Sequence, residues 1–276
     1  MEQLKGRSAV VTGASGGIGR EIARALAREG MNLAVSGRRE DVLESLATEL
    51  QGLGVQAHPV PADLSDLDQV DSLVERCETA LGSIDVLVNN AGVEQVAAFT
   101  EYSRQELISM VELNLTAPLL LTHRVVPGMV ARGRGHVVFI SSLAGKLGPP
   151  YNEPYAATKA ALVGLTQSLR SEYLHQPVGF SVVSPGFVAG DGMYQRMVDE
   201  GFKSNRMMGE TTTEKVAARV VEAIRGDRPE LVESGAPIRP MLAVNQLAPR
   251  LIERAAPRFG VTEFFRRVAA HRGRLD

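Results

Sequence analysis

Apolar positions fall along this chain in two alternating patterns. Short runs at Ala9–Val11, Leu33–Val35, Val55–Val60, Val86–Val88, Val137–Ile140, Phe180–Val183 and Leu231–Glu233 are rich in β-branched residues, and most are almost continuously apolar. Such runs predict strands covered on both faces, as in a parallel sheet. Between them, Ile18–Glu29, Glu40–Gln51, Leu67–Ala80, Arg104–Ala131, Tyr155–Tyr173 and Thr213–Arg225 repeat their apolar residues at helical spacing. Strand and helix in alternation define an α/β fold, a doubly wound parallel sheet of about seven strands with helices on both faces. No repeat, linker or low-complexity tract interrupts the pattern before about residue 235. Residues 1–235 therefore read as one domain, and 236–276 as a helical C-terminal extension.

The segment Arg104–Ala131 is long for one helix, and Pro118 predicts a kink or a division there. Leu113, Leu115, Leu119, Leu120 and Leu121 make it apolar on more than one face. Such a helix needs partners on two sides, either within the monomer or at a subunit contact.

Composition narrows the function classes. A formal net charge of −2 gives no reason to expect a nucleic-acid partner. The one cysteine, Cys77, excludes an internal disulfide, suits a reducing compartment and lies in a helical pattern that predicts a buried thiol. A strand begins almost at once at Ser8, so no leader peptide is expected, and no apolar run reaches the ~18 residues of a membrane span. A cytoplasmic protein is the expectation. The histidines lack ligand spacing, and no metal site is expected.

Chemistry concentrates at three places. Thr12-Gly13-Ala14-Ser15-Gly16-Gly17-Ile18-Gly19 lies between the first strand and the first helix. Gly13 suits the tight turn, Gly17 the close approach of a pyrophosphate, and Gly19 close helix–sheet packing. A helix N-terminus there offers unpaired N–H groups to phosphates, which makes the fold Rossmann-type. The second strand ends Val35-Ser36-Gly37-Arg38-Arg39, with two arginines where an NAD site usually has a carboxylate. Guanidinium groups suit a 2′-phosphate, so NADP(H) is preferred and NAD(H) remains open. Glu40 and Asp41, next in line, read as first-turn helix residues. Finally, Tyr155 and Lys159 are four residues apart on one helix face, with Ser142 thirteen positions before the tyrosine. A phenol can pass a proton to a substrate oxygen, an ammonium one turn away would lower its pKa, and a serine hydroxyl can hold the same oxygen. That set suits hydride transfer at a carbonyl or alcohol carbon.

Across roughly residues 6–235 the chain resembles the short-chain dehydrogenase/reductase family. The resemblance rests on Thr12–Gly19, Asp63-Leu64, Asn89-Asn90-Ala91-Gly92, Asn114, Ser141-Ser142, Tyr155–Lys159 and Pro185-Gly186, in the family's order and spacing. It implies a catalytic tetrad of Asn114, Ser142, Tyr155 and Lys159. Tyr155 would be the general acid/base and Ser142 would orient the substrate oxygen. Lys159 would hold the nicotinamide ribose, and Asn114 would position a water in the proton relay. It places Gly13, Ser15, Gly17, Ile18 and Gly19 at the cofactor, with Arg38, Arg39, Asp63 and Leu64 toward the adenosine. Asn90, Ala91, Gly92, Tyr155, Lys159, Pro185, Gly186 and Val188 would line the rest of the channel. After Pro185-Gly186 the family often carries a threonine near the carboxamide. Here the run is Phe187-Val188-Ala189-Gly190-Asp191, and backbone such as that of Val188 would have to substitute. The family also implies a homo-oligomer, a dimer or a tetramer.

The substrate end is less specified. Val188–Gly209 would form a mobile lid, and its Met193, Tyr194, Met197, Phe202, Met207 and Met208 suit either an apolar substrate or plain packing. The expected function is an NADP(H)-dependent oxidoreductase of a hydrophobic ketone or secondary alcohol. A non-catalytic cofactor-binding regulator and a peripheral membrane protein acting through its tail are the alternatives. Residues 236–276 carry eight Lys/Arg and three Asp/Glu, a net of +5, against 22 and 29, a net of −7, in the remainder. Pro240, Pro249 and Pro257 cut this tail, while Leu247, Leu251, Phe264, Phe265 and Val268 give it apolar faces. Packing across the pocket mouth or a neighbouring subunit is the first expectation, an anionic membrane the second, disorder the third.

Overall fold

The structure, a computed structural model, describes residues 3–204, 208–255, 258 and 260–274. Met207 of the lid segment and Pro257 of the tail lie outside the described residues. The chain runs β1 (Ser8–Val11), α1 (Gly17–Arg28), β2 (Asn32–Gly37), α2 (Glu40–Gln51), β3 (Ala57–Pro61), α3 (Gln69–Leu81) and β4 (Val86–Asn89). It continues through α4 (Arg104–Val111), α5 (Ala117–Ala131), β5 (Gly135–Ile140), α6 (Ala144–Leu147), α7 (Glu153–Glu172) and β6 (Val178–Pro185). Then come β7 (Val188–Ala189), α8 (Met193–Asp199), β8 (Thr211–Thr212), α9 (Thr213–Gly226) and β9 (Glu230–Glu233). The tail forms α10 (Arg239–Leu247), α11 (Pro249–Ala255) and α12 (Val261–His271).

Seven strands form one parallel sheet in the order β3-β2-β1-β4-β5-β6-β9. The order reverses between β1 and β4, and a crevice opens at the carboxyl ends of the strands there. Alternate residues of each strand feed opposite cores. Ala9 and Val11 pack with Ile22, Leu43 and Val220 from α1, α2 and α9. Val10 points the other way, to Leu73 of α3 and to Leu121 and Met129 of α5. Cys77 is a buried free thiol of α3, and burial pushes its pKa up to about 12.

Most expected elements stand within a few residues of their predicted ends. β3 carries Pro59 and Pro61, which an edge strand tolerates because one row of its N–H groups has no ladder partner. The two-residue pair β7–β8 was too short to leave a periodic signal. The segment Arg104–Ala131 is divided, as Pro118 implied, but through a π turn at Glu112–Thr116. Pro118 has no N–H for the Asn114 carbonyl, and Ala117 N–H reaches back five residues to Glu112 O. The leucine face is only partly covered. Leu121 is buried, Leu113 and Leu115 are half-buried, and Leu119 and Leu120 remain exposed beside Ile108 and Val111.

The tail contradicts the expected set of buried positions in part. Phe264, Phe265 and Val268 of α12 are buried against Tyr194, Met197 and Phe202 of the lid. Leu247 and Leu251, by contrast, are 87% and 58% exposed. The reason is rotational: α10 and α11 turn Met241, Val244 and Ile252 toward the crevice instead. Asn245 Nδ2 fixes that rotation by donating to Lys146 O of α6 at 3.0 Å.

Candidate active site

The crevice is a cleft of about 1260 Å³ running from the glycine-rich turn to the tail. Its inner end is built from backbone. Thr12 Oγ1 accepts the amides of Asn90 and Ala91, both at 3.0 Å, and Asn90 Nδ2 donates to Thr12 O at 2.9 Å. The turn is thus tied to the end of β4. Gly13 has φ +65°, and a β-carbon there would lie 2.9 Å from Ala91 Cα. Gly17 N–H, at the start of α1, donates to Asp191 Oδ2 at 2.6 Å, so the helix N-terminus already holds an anion from the lid. Arg38 and Arg39 are exposed on the cleft rim, and Arg39 Nη2 donates to Ser15 O at 2.5 Å. Burial pushes the Asp63 carboxyl up, yet hydrogen bonds from Ser65 together with Arg38 hold it below its ordinary value.

Further in, β5 delivers Ser141 and Ser142, and α7 delivers Tyr155 and Lys159. Pro154 sits in the first turn of α7, where its missing N–H costs nothing. Ser141 Oγ donates to Lys159 O at 2.7 Å, which locks helix to strand end. Ser142 Oγ accepts the Ala144 amide at 3.1 Å and stands near enough to Tyr155 to favour its ionised form. Lys159 Nζ donates to Ile140 O at 2.9 Å and stands 5.6 Å from the Tyr155 ring centroid. Burial raises the Tyr155 pKa above its ordinary value, Glu94 raises it further, and Ser142 opposes them. Burial likewise lowers Lys159 to about 8, against the pull of Glu94. The expected lowering of Tyr155 by Lys159 is therefore reversed, because burial outweighs an ammonium directed at a carbonyl.

Two expected site residues lie behind the cleft wall. Gly19 packs against the turn, where a β-carbon would lie 2.3 Å from Gly13 O, so its place is structural support rather than contact. Asn114, fully buried in the π turn, exchanges hydrogen bonds of 2.8 and 2.9 Å with the Val93 backbone and donates to Thr158 Oγ1 at 3.2 Å. The other predicted positions, from Gly13 to Val188, all border the cleft.

The chain matches the family model described as short chain dehydrogenase over residues 7–200. It is 37% identical over 277 residues to a protein named ketoacyl reductase HetN from a Nostoc strain, covering 99% of this chain and 96% of that one. A Staphylococcus aureus 3-oxoacyl-[acyl-carrier-protein] reductase, FabG, is 36% identical over 196 residues, 70% of this chain and 79% of that one. The chain belongs to the short-chain dehydrogenase family. Among solved structures, a Burkholderia phymatum short-chain dehydrogenase/reductase in complex with NAD superimposes with a TM-score of 0.80 at 27% identity, covering 91% of this chain and 96% of that one. Like its relatives, this short-chain dehydrogenase is a nicotinamide-dependent oxidoreductase acting on CH–OH or C=O groups.

The residues fit such a dinucleotide. Gly13 and Gly19 leave no room for β-carbons, and the Gly17 amide at the start of α1 donates to the chain's own Asp191 carboxylate, as it could to a phosphate. Among the described residues no group of His, Cys, Asp or Glu could hold a metal ion, and no helix is long and apolar enough to cross a membrane. Sequence reasoning missed Glu94 and Asn152, which border the cleft near Tyr155. Glu94 could have been noticed as a carboxylate two residues after Gly92. Asn152 left no such signal.

Proposed function

We propose that this dehydrogenase interconverts an apolar ketone and its secondary alcohol, with NADP(H) as preferred cofactor and Tyr155 as general acid/base. The observation carrying this reading is that Ser142, Tyr155 and Lys159 border one largely apolar cleft, with Lys159 Nζ 5.6 Å from the Tyr155 ring centroid and Ser142 near enough to act on the phenol. When bound, the nicotinamide supplies or accepts the hydride. Ser142 holds the substrate oxygen, and Tyr155 Oη gives that oxygen its proton in reduction or takes it in oxidation. A phenol kept neutral by burial suits the donor role. Lys159 would hold the ribose, and Asn114, through its Val93 and Thr158 bonds, would brace the wall behind Lys159 and offer its remaining lone pair to a relay water. Gly13, Ser15, Gly17 and Ile18 would hold the pyrophosphate end, Asp63 and Leu64 the adenine. Asn90, Ala91, Gly92, Pro185, Gly186 and Val188 would line the nicotinamide channel.

Arg38 and Arg39, with no carboxylate closing β2, support NADP(H). The names of HetN and FabG add that ketoacyl compounds belong among the first substrates to try. The uncovered Leu119 and Leu120 face supports a homo-oligomer. Exposed Leu247 and Leu251 beside Arg250 and Arg254 favour, as a second reading, a tail that also touches an anionic membrane, which liposome sedimentation tests.

Tyr155→Phe removes one hydroxyl and keeps the ring. Turnover of any accepted ketone should fall by about 100-fold or more while cofactor fluorescence titration is unaltered. Near-normal turnover in that variant would sink the mechanism.

A further inference from the structure

Glu94 borders the cleft, yet the reaction outlined above gives it no part. Its side chain is half-buried, and the surface it retains faces the cleft. Glu94 Oε1 accepts a hydrogen bond from Asn152 Nδ2 at 2.5 Å. When Glu94 is ionised only the amide NH₂ can donate to it, and the bond then fixes which way the amide points, although burial raises the Glu94 pKa. Asn152 is fully buried and lies three residues before Tyr155, on the turn into α7. Its Oδ1, also buried, has no hydrogen-bond donor among the described residues.

Two acceptors thus stand together beside the reacting phenol, a carboxylate and an orphaned amide carbonyl. A buried acceptor without a donor is costly, and in native proteins such a group goes with strain, a catalytic role or a bound water or ion. The backbone is also held in a disfavoured shape to put them there. Tyr151, just before Asn152, has φ +64°, a left-handed conformation rare for a residue with a side chain. Its carbonyl accepts Tyr102 Oη at 3.1 Å and the Ala97 amide at 3.0 Å, and its own amide donates to Glu153 Oε1 at 2.9 Å. Glu94 is felt electrostatically by both Tyr155 and Lys159.

We propose that Glu94, positioned by Asn152, reads a hydrogen-bond donor on the substrate, so that the preferred substrates are apolar ketones or alcohols carrying one hydroxyl or N–H group. This rests on the oxidoreductase reading above and adds the polar feature that the apolar cleft selects. A site built to pair with a donor rejects the analogue that lacks it more strongly than an apolar wall rejects an added methylene.

The test uses a ketone series in which one hydroxyl is walked outward from the carbonyl, each member with its deoxy partner. The wild-type protein, Glu94→Gln and Glu94→Leu are compared. The readout is the kcat/KM ratio within each pair, which cancels any general loss of activity. At one hydroxyl position the wild type should favour the hydroxylated ketone by about tenfold or more, and Glu94→Leu should bring the ratio close to one. Glu94→Gln, which keeps an acceptor oxygen, should fall between. A wild-type ratio near one at every position, or the same ratio in all three proteins, overturns the proposal. Calorimetric binding of the matching diol and its deoxy alcohol to the cofactor-loaded protein gives a second readout. Equal affinity for the two in the wild type overturns it without reference to turnover. Preferential diol binding with no turnover of any ketone would instead overturn the oxidoreductase reading and leave the Glu94 assignment standing.

Discussion

At one end of the cleft Thr12 Oγ1 gathers the Asn90 and Ala91 amides at 3.0 Å, and Gly13 and Gly19 let backbone meet backbone. At the other end Phe187 meets Tyr194 and Phe264 with ring centroids 5.0 and 5.4 Å apart, so the wall joins side chains from three separate segments. The first region is held by hydrogen bonds whose geometry tolerates almost no change. The second is held by apolar contact and surface ion pairs, such as Arg272 of the tail on Glu200 of the lid at 2.9 Å. Non-directional contact accommodates substitution. One end can therefore serve an invariant dinucleotide while the other is free to change its substrate.

The largest effect that would break this contrast is expected at Gly19. An alanine β-carbon would lie 2.3 Å from Gly13 O and 2.6 Å from Asn90 Nδ2, and the first of these is backbone that cannot step aside. Gly19→Ala should weaken dinucleotide binding by about 100-fold, ~2.7 kcal/mol, although the residue does not border the cleft. Calorimetric titration of the cofactor checks this, and unchanged affinity would mean that the turn is as adaptable as the far end.

The same contrast explains what could be read from the chain. Gly13, Gly17, Ser142, Tyr155 and Lys159 are set by local spacing on single strand–turn–helix units, and such spacing is visible in sequence. The seven sheet strands were visible for the same reason, since most are almost continuous apolar runs. Glu94 and Asn152 meet across 58 residues, and Arg274 reaches Glu106 across 168, so no periodicity announces either pair. The faces of α10 and α11 were misassigned because helical spacing names a stripe without saying what it packs on. The reversal of the Tyr155 shift has a similar origin, because burial of the phenol is a tertiary fact.

Acid should strain the sheet that carries the cofactor end. His136 of β5 is 1% exposed, and since Ser181 Oγ donates to Arg228 O at 2.6 Å, His136 Nε2 donates to Ser181 Oγ at 2.8 Å. Burial lowers its pKa from 6.5 to about 4. The folded value lies below the unfolded one, so the neutral ring's contribution is complete above about pH 6.5 and is lost as pH falls toward 4. The loss amounts to at most ~3 kcal/mol. Urea unfolding at intervals between these values should show that slope, and His136→Gln should flatten it. An identical slope in the variant would assign the acid sensitivity elsewhere.

Cofactor choice should shift by a smaller amount, because Arg38 and Arg39 are exposed on the rim. The unmodified protein should favour NADPH over NADH. Gly37→Asp combined with Arg38→Ala should narrow or reverse that preference by about tenfold, since it exchanges a phosphate partner for a ribose partner. The ratio of kcat/KM values for the two cofactors is the measurement. Equal or better use of NADH by the unmodified protein would refute the assignment.

The smallest effect belongs to the ion pair that ties the end of the tail to α4. Arg274 Nη1 and Nη2 meet Glu106 at 2.5 and 2.8 Å, Nη2 also donates to Glu101 O at 2.7 Å, and the guanidinium lies 5.4 Å from the Tyr102 ring centroid. Arg274 and Ser103 hold the Glu106 carboxyl down at about 2, so its contribution is present above about 4.5 and is lost as pH falls toward 2. At neutral pH the pair is intact, and salt is the cleaner lever because both side chains are about a quarter exposed. Arg274→Ala should raise KM for an apolar ketone roughly threefold, in keeping with the ~1 kcal/mol or less of such pairs, and leave cofactor affinity alone. High salt should raise KM in the wild type and have little effect in the variant. A fall in cofactor affinity in Arg274→Ala would mean that the tail reaches through to the glycine turn, and the two ends of the cleft would then be a single cooperative unit.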